Sequence, residues 1–217
     1  MASEEVRRST LALVVLSLLH TMPMHGYQVQ LKLKQWGKER VVNVRQRSSL
    51  YRTIDRLLAA GLVTVHATER EEQRPERTVY AITPDGEAAL QAWQEHMLST
   101  PAREYPEYPA ALSVLAVVPE ATAVEALERR IEAVRADIAE MEAGIAEGER
   151  LGIPRLFMVE EEYLIAVART EIAFTESLAD DIRRGELHWD DAWVEARSRD
   201  FVQFEAEGGV PDYPIQS

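Results

Sequence analysis

Arginine and small hydroxyl side chains crowd one short stretch of this chain: Arg45, Arg47, Ser48, Ser49, Arg52 and Arg56, with Tyr51 among them. A guanidinium can donate paired hydrogen bonds to a phosphate or to the edge of guanine, and a serine hydroxyl can meet several base edges. The interval from Tyr27 to Arg56 carries eight basic and two acidic residues, so it forms a local positive field. A second set, Arg70, Arg74 and Arg77, lies in HATEREEQRPERT, a run too polar to enter a core. Catalytic chemistry finds no comparable support. The five histidines (His20, His25, His66, His96, His188) show no metal-ligand spacing, and no Ser, His and acid arrangement sits on a nucleophile turn. Glu160-Glu161-Glu162 lacks the Glu-x-x-His partner of a di-metal carboxylate bundle. The chain has no cysteine, which excludes disulfides and thiolate sites and fits a reducing cytoplasm. No enzyme, metal or cofactor is expected.

The elements around these side chains follow from periodicity. Leu50, Ile54, Leu57 and Leu58 recur at three- and four-residue spacing, Ser48 or Ser49 is suited to cap the helix, and Gly61 to stop it. The period then changes to two, with Leu62, Val63 and Val65 before the polar run and Val79, Tyr80 and Ile82 after it. This is a two-stranded hairpin with an exposed wing. Upstream, Thr10 to Leu19 is an apolar helix ended by Pro23. His25-Gly26-Tyr27 opens a second helix to about Trp36, with Val29, Leu31 and Leu33 among its apolar positions. Downstream, Thr83-Pro84-Asp85-Gly86 starts a fourth helix running through Trp93 and Met97. Together these make the core of a winged helix-turn-helix.

Charge divides the 217 residues. Residues 1–100 hold 13 Lys+Arg against 11 Asp+Glu, whereas 101–217 hold 11 against 26. Ser99 to Pro109, with three prolines, reads as a linker, followed by a short apolar helix from Pro109 to Val118. Val124, Leu127, Ile131, Val134, Ile138, Met141 and Ile145 then alternate three and four apart in a helix from Glu120 to Arg150. Such a seam fits a helix that packs on a partner, here a second copy of the chain. A second long helix from about Arg155 to Arg184 is expected to fold back on it, with Phe157, Leu164, Val167, Phe174, Leu178 and Ile182 inward. Trp189, Trp193, Phe201 and Phe204 mark a final amphipathic segment. The expected layout is a DNA-binding domain at 1–100, a linker at 101–109, a helical dimerisation domain at 110–206 and a flexible tail at 207–217. The fold class is mainly α with a small β-wing. Arg7-Arg8 before TLALVVLSLL imitates a signal peptide, but Glu4 and Glu5 spoil it. No apolar run is long enough to span a bilayer.

Three stretches resemble the PadR-like transcriptional regulators: His25-Gly26-Tyr27; Leu50-Tyr51 with Arg56-Leu57 and Gly61-Leu62-Val63; and Arg77, Tyr80, Ile82-Thr83 and Gly86. Where that family usually has glycine before the Leu-Tyr pair and proline after it, this chain has Ser49 and Arg52. The resemblance implies a cytoplasmic, sequence-specific DNA-binding regulator acting as a homodimer on a palindromic operator. Repression is the family's habit, and relatives respond to phenolic or other planar aromatic compounds while some lack a small ligand, so the resemblance leaves a small aromatic effector open. Within that reading Arg47, Ser49 and Arg52 are candidates for base contact, and Tyr27, Lys32, Tyr51, Arg56 and Arg74 for phosphate contact. Arg45, Ser48, Arg70 and Arg77 belong to the same surface. Trp36, Trp93, Tyr105 and Tyr108 are candidates to line an aromatic pocket, or else they are interdomain packing. The alternative is a winged-helix protein-interaction module without ligand sensing or sequence-specific DNA binding.

Overall fold

The computed structural model describes residues 8–42, 47–69, 77–190 and 192–196. It is mainly helical with a small antiparallel sheet of three strands, and it divides into two compact units at residues 104 and 105.

In the first unit, α1 (Thr10–Thr21) is capped by Ser9, whose hydroxyl accepts the Ala12 N–H at 3.1 Å. Strand β1 (Met24–His25) leads into α2 (Gly26–Gln35), followed by α3 (Arg47–Ala59), β2 (Val63–Glu69), β3 (Arg77–Ile82) and α4 (Pro84–Ser99). The strand order is β1-β3-β2, so β3 is central, with Met24 opposite Tyr80 and Val63 opposite Ile82. A register shift between Val65 and Ala67 bends β2. Val15, Leu16, Val29, Leu33, Leu50, Ile54 and Leu57 have no exposed surface. Each such side chain contributes about 1.5–3 kcal/mol relative to leaving it in water.

One knot fixes where the hairpin leaves α3. Gly61 takes φ +72°, and its N–H and that of Leu62 bond back to the Leu58 and Leu57 carbonyls at 3.0 Å each, closing the helix in a left-handed turn. The Thr83 hydroxyl donates to the Gly61 carbonyl at 2.7 Å and accepts the Gly86 N–H at 3.0 Å. Gly86 sits so close that an added Cβ would lie 2.0 Å from the Leu62 carbonyl oxygen.

The second unit holds α5 (Glu107–Leu112), α6 (Glu120–Arg150) and α7 (Val159–Arg183). Helices α6 and α7 pair antiparallel, since Glu128 bonds Arg183 at one end and Glu142 bonds Arg169 at the other. Gly152 (φ +72°) ends the α6 turn, and Gly148 lets Met158 approach, where a Cβ would meet its sulfur at 2.5 Å. Ala123, Leu127, Ala179, Ile182 and Trp189 form a buried cluster. Among the described residues no helix is long and apolar enough to cross a membrane.

Several expectations are corrected. Helix α3 already includes Arg47, so Ser48 and Ser49 lie in its first turn and neither is its cap. Strand β1 was not expected, because two residues become a strand only by pairing with β3. Leu31 is exposed rather than inward. The helix expected from Pro109 to Val118 starts at Glu107, inside the expected linker, and ends at Leu112, with a 3-10 turn at Leu115–Val117. Ile182 on α7 is buried as expected and Leu164 and Leu178 are half-buried, but the other buried positions are Ile165, Thr175 and Ala179, while Val167 and Phe174 on this helix and Phe157 in the 3-10 turn before it are exposed. The inward face is therefore turned by about one residue. In the seam, Leu127, Ile131 and Met141 are buried within the single chain, whereas Val124, Val134, Ile138 and Ile145 are half-buried. The fold-back of α7 already covers much of what was expected to face a second chain. Phe201, Phe204 and the tail lie outside the described residues.

The two glycines of the knot give a contrast. Gly61 has open space around it but a positive φ, so Gly61→Ala should cost about 1 kcal/mol. Gly86→Ala forces backbone apart and should cost roughly 2 kcal/mol or more. Urea titration of the two variants checks this, and equal losses would contradict the close packing of α4 on Leu62.

Candidate nucleic-acid interface

The basic face is built on α3. Its buried stripe of Leu50, Ile54 and Leu57 leaves Ser48, Arg52, Asp55 and Arg56 exposed on the other side. Thr53 lies between the two faces, buried, donating its hydroxyl proton to the Ser49 carbonyl at 2.9 Å and accepting from an Arg56 terminal nitrogen at 3.1 Å. Arg56 is thereby anchored near its tip. Arg52 donates through Nε to the Ser48 carbonyl at 3.2 Å, which lays its stem back toward the start of the helix.

Around α3 stand aromatic side chains with one wet edge. Tyr51 is 40% exposed, and its ring covers Gly26, where a Cβ would come 2.9 Å from Tyr51 Cε1. Gly26 therefore sets how closely α2 and α3 pack. Tyr27, also 40% exposed, stacks on His25 with ring centroids 5.6 Å apart. His25 in turn donates from Nδ1 to the Thr78 carbonyl of β3 at 3.1 Å, tying the start of α2 to the hairpin. Burial, followed by the charge of Asp55, pushes the Tyr80 hydroxyl above its ordinary pKa, so this phenol keeps its proton at neutral pH. Lys32 lies over the Trp36 ring, its ammonium 5.0 Å from the centroid.

Of the residues expected on this surface, the structure places Tyr27, Ser48, Tyr51, Arg52 and Arg56 at exposed positions in the first unit, with Lys32 and Ser49 half-buried. Arg45, Arg70 and Arg74, and the side chains of Arg47 and Arg77, lie outside the described residues. Thr53 and Gly26 were missed as supports. A glycine at a helix start that is followed by an aromatic was the available signal for Gly26.

The four aromatic residues considered for a pocket are held differently. Trp93 packs against the core of the first unit, and Trp36 is taken up by Lys32. In the second unit Tyr108 donates or accepts a 2.8 Å bond with the Thr175 hydroxyl and carries Arg130 over its ring at 3.7 Å. Tyr105 is 85% exposed.

Residues 15–92 match the model of the "Transcriptional regulator PadR-like family". These residues form a PadR-like domain. Solved structures with the same fold include Bacillus subtilis PadR in complex with operator DNA, 15% identical with TM-score 0.65, covering 81% of this chain and 98% of that one. The same protein in complex with p-coumaric acid gives TM-score 0.63 at 15% identity, covering 81% and 99%. The Vibrio cholerae virulence activator AphA gives 0.60 at 20% identity, covering 80% and 98%. No curated protein sequence matches the chain.

In the PadR-like domain, Gly26→Ala would press on the Tyr51 ring at 2.9 Å and more lightly on Ile54 Cδ1 at 3.3 Å. Its stability should stay within about 1 kcal/mol of the parent, while affinity for duplex DNA falls because the Tyr51 hydroxyl is displaced. Denaturant and anisotropy titrations measure the two. Loss of stability with DNA affinity kept would show that Tyr51 serves packing alone.

Proposed function

We propose that this protein is a cytoplasmic, sequence-specific transcriptional regulator that binds a palindromic operator as a homodimer. The observation that carries the reading is α3: one face wholly buried, the other presenting Ser48, Arg52 and Arg56 to solvent beside Tyr27 and Tyr51. A helix so mounted fits the major groove of B-DNA, where arginine engages guanine. In this reading Arg47, Ser49 and Arg52 face bases. Tyr27, Lys32, Tyr51, Arg56 and the wing arginines Arg70, Arg74 and Arg77 meet phosphates and fix register. Bacillus subtilis PadR, of like fold, has been solved on operator DNA.

The second unit supports dimerisation through a surface other than the expected seam. Leu156, Val159, Tyr163 and Val167, at three- and four-residue steps, are between 47% and 76% exposed. A second copy is the economical cover for such a stripe. Residues 1–100 then act as reader, 101–109 as linker and 110–206 as the assembling part, with half-sites about 34 Å apart. Repression relieved by a small effector completes the reading, supported by the p-coumaric acid complex of Bacillus subtilis PadR.

Arg52→Ala should lose about 1–3 kcal/mol of discrimination at one base position of each half-site. Arg56→Ala should weaken all sequences alike and lower the salt slope by about 1. Anisotropy titrations on base-substituted duplexes read both; parent-like binding by both variants on every duplex would favour the protein-interaction module.

Assembly is tested at Tyr163 and Val167, whose exposure lets single chains tolerate charge. The double substitution Tyr163→Glu with Val167→Glu should halve the mass in light scattering and weaken operator binding with it. An unchanged mass would place the interface elsewhere.

A further inference from the structure

The second unit contains a cleft of about 440 Å³ that the DNA-binding reading does not use. Its walls come from the end of α5 and the turn after it (Leu112, Leu115), from the outer face of α7 (Phe174, Leu178), and from the segment beyond α7 (Trp189, Trp193). This volume lies in the range of small-molecule sites. The aromatic walls are held in place. Trp189 is buried, its indole N–H donates to the Val118 carbonyl at 2.8 Å, and its backbone N–H donates to Glu120 Oε1 at 2.5 Å. The Trp193 N–H is capped by Asp190 Oδ1 at 2.6 Å, which sets this half-exposed indole on the rim. Phe174, also half-exposed, forms part of the same lining.

The polar groups of the cleft are Ser113 and His188, and their hydrogen bonds define what they can receive. The Ser113 hydroxyl gives its proton to the Ala110 carbonyl at 2.7 Å, so it offers lone pairs. His188 Nδ1 faces Glu120 Oε1 at 2.7 Å. A carboxylate only accepts, so the Nδ1 hydrogen is directed at Glu120 and is not offered to the cleft. The residues from 101 onward carry a net charge of −15, a field that repels anions and attracts cations. The indole and phenyl faces add attraction for a cation above them.

We propose that this cleft is a binding site for planar aromatic compounds bearing a positive charge or N–H donors, and that it discriminates against aromatic carboxylates. Its role as an effector site rests on the regulatory reading above; binding itself does not.

Calorimetric titration of the full-length protein without DNA uses two probes of one shape, 9-aminoacridine and acridine-9-carboxylate. The amine should bind roughly tenfold tighter or better, a preference of the order a desolvated cation–aromatic contact supplies. Phe174→Ala and Trp193→Ala should each weaken the amine about tenfold, whereas Trp36→Ala, in the other unit, should leave it unchanged. Ser113→Lys, at an exposed position, should reverse the preference toward the carboxylate with the fold kept. Equal affinity for the two probes overturns the proposal, as does indifference to Ser113→Lys. If Phe174→Ala halves the mass in light scattering with amine binding intact, a second copy covers the cleft and the ligand reading fails. DNA affinity measured separately on the same samples tells this failure from that of the regulatory reading.

Discussion

Complete burial of one stripe of α3 is the constraint on which the rest depends. Leu50, Ile54 and Leu57 keep no accessible surface, so the helix cannot rotate about its axis without bringing an apolar side chain into water or a charged one into the core. Either change costs several kcal/mol. The orientation of Arg52 and Arg56 is thus a consequence of packing. Thr53 refines it, since its hydroxyl links the helix backbone to the Arg56 tip.

The hairpin is aimed by the same economy. Thr83 uses its hydroxyl twice and its backbone N–H once, tying Gly61, Leu62 and Gly86 into one knot, and Gly86 is small because the Leu62 carbonyl leaves no room. Position on the far side is fixed by His25, which joins α2 to β3. In the second unit, charge pairs run along the α6–α7 contact, such as Arg130 with Glu171 and Arg135 with Glu176. Solvent-accessible pairs of this kind contribute little stability, and the apolar hold between α6 and α7 includes the buried cluster of Ala123, Leu127, Ala179 and Ile182.

Much of this was legible in the sequence where one signal dominated. The α3 stripe, the stop at Gly61, the change to a period of two and the Pro84 start of α4 each had a single strong reading. Legibility failed where two faces competed. Helix α7 carries apolar residues on both sides, and the bulky Val167 and Phe174 proved to be exposed, while small Ala179 is buried against Ala123 and Leu127 of α6. Strand β1 exists only through its pairing, and Trp189 is placed by polar bonds to Glu120 and Val118 that no periodicity announces. For the basic surface, residue types were readable from the sequence. The anchoring of Arg56 by Thr53 and the close approach of Tyr51 to Gly26 were not, since both depend on how α2 meets α3.

The central claim, that this packed helix presents a nucleic-acid surface, is tested most directly by the ionic-strength dependence of binding. Duplex fragments selected by the purified full-length protein from genomic DNA are titrated between 50 and 200 mM salt, roughly the range over which several phosphate contacts change affinity a thousandfold or more. The account predicts a steep linear fall of log affinity with log salt. A flat dependence, or no fragment selected over bulk DNA, would contradict it.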